Sequence, residues 1–227
     1  MKIIPAEDAK IFKSTINTLK NGGIVIVPTI RWYMICCDAT NRSGLEKIFT
    51  AKRRPYSKPP LFLIPDKQFA KTLFVVNENT NNLIEYLWPG ELSLHLTWFS
   101  EMLAKKYCLE NKTDALVSML PGLLGDIVSH YSKPILSTTV NISNVNNKVD
   151  LGPAISHKEV LAFVDKTNIN VDLVINGGIC PAFNHTTIVD CRSVVTDIPL
   201  IIREGYVHKR VINYVLGIKN GEHQNEQ

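Results

Sequence analysis

At 227 residues the chain can bury one large core or two small ones, and its 45% hydrophobic and 20% charged residues are ordinary for a soluble globular protein. No apolar run reaches the ~20 residues needed to span a bilayer, and Glu7 and Asp8 interrupt the N-terminus too early for a signal-peptide core, so the expected location is the cytoplasm. A formal charge of +4 permits a basic groove for nucleotide or RNA without demanding one. Cys36, Cys37, Cys108, Cys180 and Cys191 are odd in number and lack C-x-x-C spacing. That argues against a zinc site or redox motif and for reduced, mostly buried thiols.

In chain order, Glu7 to Leu19 places Ala9, Phe12, Ile16 and Leu19 on one helical face, and Asn21-Gly22-Gly23 ends that helix. Ile24 to Val27 is an unbroken β-branched run stopped by Pro28, which predicts a strand covered on both faces. Trp32 to Cys37 is extended. Asn41 or Ser43 caps a helix over Gly44 to Ala51, with Leu45, Ile48 and Phe49 inward. Leu61 to Ile64 is a strand, a helix starts near Asp66, and another runs from Asn79 to Leu87 before Trp88-Pro89-Gly90. Strands follow at Leu92 to Trp98 and Ala115 to Leu120, then a helix from Leu123 to Tyr131 and a strand at Ile135 to Thr138. The polar loop from Asn144 to Pro153 reads as mobile. His157 to Val164 is helical, and strands are predicted at Val171 to Ile175, Thr186 to Asp190 and Leu200 to Arg203. No repeat or linker separates two halves. Strands and helices intermix, so the expectation is one α/β domain with a mixed sheet. Its boundaries are 7–206, with a C-terminal helix over 207–218 and a disordered polar tail over 219–227.

The segment Lys52-Arg53-Arg54-Pro55-Tyr56-Ser57-Lys58-Pro59-Pro60 puts four cations in seven residues. Arginine offers a planar fork for phosphate, lysine a mobile point charge, and the prolines limit the ordering cost of aiming them. Alone, such a run reads more simply as a solvated face. Its neighbours change that. A strand ends in Pro28-Thr29, with Tyr33 and Cys37-Asp38-Ala39 beyond it. Ser137-Thr138-Thr139-Val140-Asn141-Ile142-Ser143 follows later, then Asn176-Gly177-Gly178 before Thr186-Thr187-Ile188-Val189-Asp190, and finally Ile201-Ile202-Arg203-Glu204-Gly205. No nucleophilic triad, H-x-x-x-H pair or P-loop is present.

In this order and spacing the motifs resemble the YrdC-like family of threonylcarbamoyl-AMP synthases, over roughly Ala9 to Tyr206; Leu87-Trp88-Pro89-Gly90 and Lys133-Pro134 fit it too. The resemblance implies a single twisted mixed sheet with helices packed on it and a large basic concave groove. It implies joining of threonine, bicarbonate and ATP into threonylcarbamoyl-AMP with release of pyrophosphate. A partner complex would then pass the threonylcarbamoyl group to adenosine 37 of tRNA, with tRNA or double-stranded RNA as a further occupant of the groove. The family pattern maps onto Lys52, Arg54, Thr139 and Asn141 as catalytic and nucleotide-binding residues, with Lys58 and Arg203 also on the nucleotide. Thr29, Arg31, Ser118, Ser137 and Thr186 fall on the amino-acid pocket. The chemistry makes sense of the match, because fixed cations stabilise charge building on the α-phosphate and leaving pyrophosphate. Mg²⁺ is expected on the nucleotide's own phosphates, with no protein ligand.

The departures cluster on the amino-acid side. Ile30, Arg31, Met34 and Cys36 stand where the family has the acidic residue, the Thr and the two ligand-approaching glycines of an acidic residue-Thr-Val-Tyr-Gly-Leu-Gly turn. Leu63 replaces a histidine, Ser118 the arginine that binds the amino-acid carboxylate, and His185-Thr186-Thr187 a Glu-Ser-Thr. A lost buried Arg–carboxylate contact costs ~2–5 kcal/mol, and Arg31 is the candidate replacement. The expectation is therefore an active threonine enzyme with a repaired pocket. The alternatives are a paralogue acting on another small substrate, or a member that binds nucleotide or RNA without turnover.

Overall fold

The computed structural model describes residues 1–109, 112–143, 152–192 and 198–218. In chain order its elements are β1 (Lys2–Pro5), α1 (Ile11–Lys20), β2 (Val25–Pro28), β3 (Tyr33–Asp38), α2 (Arg42–Lys52), β4 (Leu61–Leu63), α3 (Lys67–Leu73), α4 (Glu78–Leu87) and β5 (Leu92–Thr97). Then come α5 (Glu101–Lys106), β6 (Asp114–Ser118), α6 (Gly122–Tyr131), β7 (Ile135–Thr139), α7 (His157–Thr167), β8 (Leu173–Asn176), β9 (Thr187–Asp190), β10 (Leu200–Arg203) and α8 (Lys209–Val215). The strands form one mixed sheet in the order β1-β8-β2-β3-β7-β4-β6-β5-β9-β10. The β1/β8, β2/β8, β4/β6 and β5/β9 pairs are parallel. This is a single α/β domain built on an open, twisted, mixed sheet.

Strand alternation divides the interior into two layers. Ile24, Ile26, Ile35, Cys37 and Phe62 face one layer with the inward residues of α2, α3, α4, α5, α7 and α8. Val25, Val27, Met34, Cys36, Leu63 and Ile135 face the other, against Ile11 and Leu19 of α1 and Leu124, Ile127 and Val128 of α6. The continuous apolar run at Ile24 to Val27 is thus covered on both sides, as expected. Cys36 and Cys37 are fully buried on opposite faces, where burial pushes the Cys36 thiol up to about 12, so it packs rather than reacts.

Six helices cover the first face and only α1 and α6 the second. What remains of the second face is polar. Cross-strand partners project to the same side. Met34 pairs with Thr139 and Cys36 with Ser137, while Leu63 pairs with Ser118 and Ser118 with Ser93. Thr139, Ser137, Ser118 and Ser93 therefore share the face of Met34 and Leu63.

Local chemistry sets the helix starts. Asn41, Asp66 and Asn77 each accept a backbone N–H at the N-cap of α2, α3 and α4. Ser156 and Glu159 form a capping box on α7. Helix α1 begins at Ile11 rather than Glu7 because the Asp8 carboxylate takes the Lys10 N–H at 2.7 Å in a preceding turn. Its buried face is consequently Ile11, Thr15 and Leu19, with Phe12 and Ile16 only half-buried. Strand β1 and helix α5 were not expected. The C-terminal helix α8 inserts Ile212 fully into the main core. The tail at 219–227 and most of the Asn144–Pro153 loop lie outside the described residues.

Candidate functional site

Two clusters of polar side chains stand on or beside the polar face. The first joins α2 to the end of β7. Lys52, the last residue of α2, is fully buried. Its ammonium donates to the Thr139 carbonyl, to the Asn141 carbonyl at 2.7 Å and to Asn141 Oδ1 at 2.7 Å. All three of its N–H donors are thereby committed. Thr139 Oγ1 donates to the same Asn141 Oδ1 at 2.6 Å. With two donors on Oδ1, the Asn141 amide is held in one orientation, and among the described residues its NH2 donates to the Ile142 carbonyl alone, at a long 3.4 Å. Burial, helped by the Arg54 charge, pulls the Lys52 ammonium down to about 7, although three oxygen acceptors favour its charged form.

The basic turn contributes less directly. Arg53 closes α2 in the left-handed region, φ 50°, and the chain reverses there. Arg54 lies half-buried over Phe49, 5.8 Å from the ring centroid. It donates to the carbonyls of Lys58 (2.9 Å) and Pro59 (2.8 Å), so its fork braces its own turn. Lys58 is exposed. Lys52 thus converges with Thr139 and Asn141 through direct bonds, and Arg54 only through its field.

The second cluster gathers at the β2–β3 turn and the starts of β5 and β9. Thr29 Oγ1 donates to the Trp32 carbonyl at 2.7 Å and accepts the Arg31 N–H at 3.2 Å, which shapes the turn. Arg31 pairs with Glu91 through Nη1 and Oε2, and both are buried, 3% and 5% exposed. β3 and β5 stand four places apart in the sheet, so this ion pair reaches across the polar face. Burial and the Arg203 charge lower Arg31 to about 10, leaving it cationic at neutral pH. Beside it Ser118 Oγ donates to Ser93 Oγ (2.7 Å), and Ser93 Oγ to Thr186 Oγ1 (3.2 Å). Arg203 donates to the Thr186 carbonyl at 3.0 Å and to Thr186 Oγ1 at 3.3 Å. Trp32 meets the ring of exposed His185 at 4.7 Å. Burial, then the charges of Arg203 and Arg31, lower the His185 pKa. Ser137 accepts from Cys36 Sγ at 3.2 Å and lies between the two clusters.

The turns holding these groups explain their glycines. Tyr33 Oη donates to the Gly178 carbonyl at 2.9 Å and accepts the Gly177 N–H at 3.1 Å; a Cβ at Gly177 would lie 2.6 Å from Pro28 Cγ. Thr187 Oγ1 accepts the Gly205 and Val207 N–H groups, pinning the turn after Arg203.

A family model, Sua5_yciO_yrdC, described as "Telomere recombination", matches residues 17–205. The chain belongs to the Sua5/YciO/YrdC family. Its fold matches that of P. abyssi Sua5 complexed with L-threonine, at a TM-score of 0.78 and 21% identity, covering 96% of this chain and 61% of that one. It also matches full-length HypF in a phosphate- and nucleotide-bound form, at a TM-score of 0.68 and 19% identity, covering 86% of this chain and 29% of that one. An uncharacterized protein of Haemophilus influenzae is 25% identical over 197 residues, 87% of this chain and 90% of its own length. The chain spans about 61% of the Sua5 structure it matches, and likeness at these identities establishes the fold.

Sequence reasoning missed Glu91 and Ser93. Glu91 was the visible signal, a lone carboxylate between Trp88-Pro89-Gly90 and an apolar strand. Among the described residues no group of three or more His, Cys, Asp or Glu is placed to hold a metal. No helix there is long and apolar enough to cross a membrane.

Proposed function

We propose that this chain joins threonine, bicarbonate and ATP into threonylcarbamoyl-AMP with release of pyrophosphate, as a nucleotidyltransferase serving the threonylcarbamoyl modification of tRNA. The observation that carries the reading is the shared polar face. Sheet register brings Thr139, Ser137, Ser118 and Ser93 to one side, with the Lys52–Asn141 cluster at one end and Arg31, Thr186 and Arg203 at the other. The L-threonine in P. abyssi Sua5 and the phosphate and nucleotide in HypF support ligands of both kinds.

In this reading Asn141 is the direct phosphate donor, because Lys52 and Thr139 occupy its Oδ1 and leave its weakly engaged NH2 to donate. Lys52 acts as a positioning residue and, when protonated, as a field source for the charge that develops on pyrophosphate. Arg54 and Lys58 add positive potential from the basic turn, and Arg203 from the opposite end. Mg²⁺ would ride on the nucleotide phosphates, since no acidic cluster among the described residues competes for it. RNA in a basic groove, a transfer complex as partner and a cytoplasmic location complete the proposal; five free cysteines fit a reducing compartment.

One observation favours a second reading, binding of nucleotide without turnover: Ser118 offers no cation and Arg31 is already paired with Glu91. Pyrophosphate release separates the two. The enzyme reading expects release that needs ATP, threonine and bicarbonate together. Binding of ATP with no release under any amino acid would leave only the second.

A further inference from the structure

The Arg31–Glu91 pair is incompletely satisfied in a way that points to a ligand. Arg31 is 3% exposed, and among the described residues its only hydrogen bond through the side chain is to Glu91 Oε2. Four of its five N–H donors make no other hydrogen bond among the described residues and remain for an acceptor that arrives. The neighbouring hydroxyls are ordered to the same end. Thr186 Oγ1 accepts from Ser93 at 3.2 Å and from Arg203 at 3.3 Å, which leaves its own O–H to donate. Trp32 and His185 pack beside Arg31. Two arginines face one carboxylate here, so the local balance stays positive.

We propose that Glu91 is a positioning residue for the amino-acid subsite, holding the Arg31 guanidinium by one edge so that its remaining donors, with the Thr186 hydroxyl, receive the substrate's carboxylate. This rests on the threonine reading above. It assigns a source for the cation that Ser118 does not supply, and it makes the chain selective for ligands bearing a free carboxylate. Glu91 and the incoming carboxylate occupy different edges of the guanidinium, whose charge screens them from each other.

Calorimetric titration of the full chain with L-threonine and with L-threoninol, its carboxylate reduced to an alcohol, tests this. Wild type should bind threonine at least about tenfold more tightly than threoninol. Glu91→Gln should weaken threonine binding about tenfold or more while changing threoninol by less than about twofold, a contrast that a merely structural role would not produce. Because Glu91→Gln strands a buried charge, the double variant Arg31→Met/Glu91→Leu keeps the volume without the pair and serves as the folded control. It should bind both ligands equally weakly. Threonine binding to Glu91→Gln as tight as to wild type, or tighter, overturns the proposal, as does equal loss of both ligands. Titration of wild type with ATP distinguishes the failures. ATP binding without preference for threonine over threoninol overturns this inference alone, and absence of ATP binding overturns the reading of the whole site with it.

Discussion

Lys52 shows how one buried side chain organises a polar cluster. Its ammonium meets three oxygens and no solvent, and burial lowers its pKa from 10.5 to about 7. The consequence for stability has a definite sign. Below pH 7 both folded and unfolded chains carry the proton, and the penalty of the buried charge is present in full. Between pH 7 and 10.5 the unfolded chain holds the proton and the folded one releases it, so stability rises with pH. Urea unfolding of wild type and Lys52→Met at pH 7 and pH 9 isolates this contribution. Wild type should gain on the variant by up to ~1.4 kcal/mol per pH unit, and a difference that stays flat with pH would refute the assignment. Lys52, Thr139 and Asn141 were legible in the sequence because each sits in a short motif of matching chemistry. The Arg31–Glu91 pair was not, since its partners are 60 residues apart and nothing local to either one announces the other. Arg54 was legible as a cation, but its direction was not: the carbonyls of Lys58 and Pro59 capture the fork.

At the scale of elements, turns and strand ends place the reactive groups. The segment after β10 is a tightly packed one. A Cβ on Gly205 would lie 2.2 Å from the His185 carbonyl oxygen and 2.8 Å from the Thr186 carbonyl. Gly205→Ala must therefore push the Arg203 turn away from Thr186. The expected cost is ~2–4 kcal/mol in thermal or urea unfolding, accompanied by weaker binding at the Arg203 end of the site. A variant as stable as wild type would show that this turn moves freely. Elements with an internal signal were readable: Asn41 before Leu45, Ile48 and Phe49 marks α2, and the β-branched run marks β2. Those stabilised by distant partners were not. β1 offers four residues whose pairing comes from β8, far along the chain. α5 is six residues long and buries only Ala104, so tertiary packing rather than periodicity sustains it.

For the molecule as a whole, the two-layer arrangement follows from alternation in the central strands, and both apolar layers were implied by the sequence. The shared polar face was not, because it depends on register. Ser93, Ser118, Ser137 and Thr139 come from β5, β6 and β7, but β4 stands between β7 and β6 in the sheet, and only the pairing of β5, β6, β4 and β7 places them on one face. One end of that face is closed by the buried Arg31–Glu91 pair.

Equilibrium binding of ATP to wild type and to Asn141→Asp tests the central claim most directly. The substitution keeps the size of the side chain but replaces the NH2 with a carboxylate oxygen, removing a donor and adding a like charge toward phosphate. Binding should weaken by roughly a hundredfold or more, in a variant whose unfolding midpoint shows that it is folded. ATP bound equally well by both proteins would mean that the Lys52–Thr139–Asn141 cluster holds a loop and no phosphate.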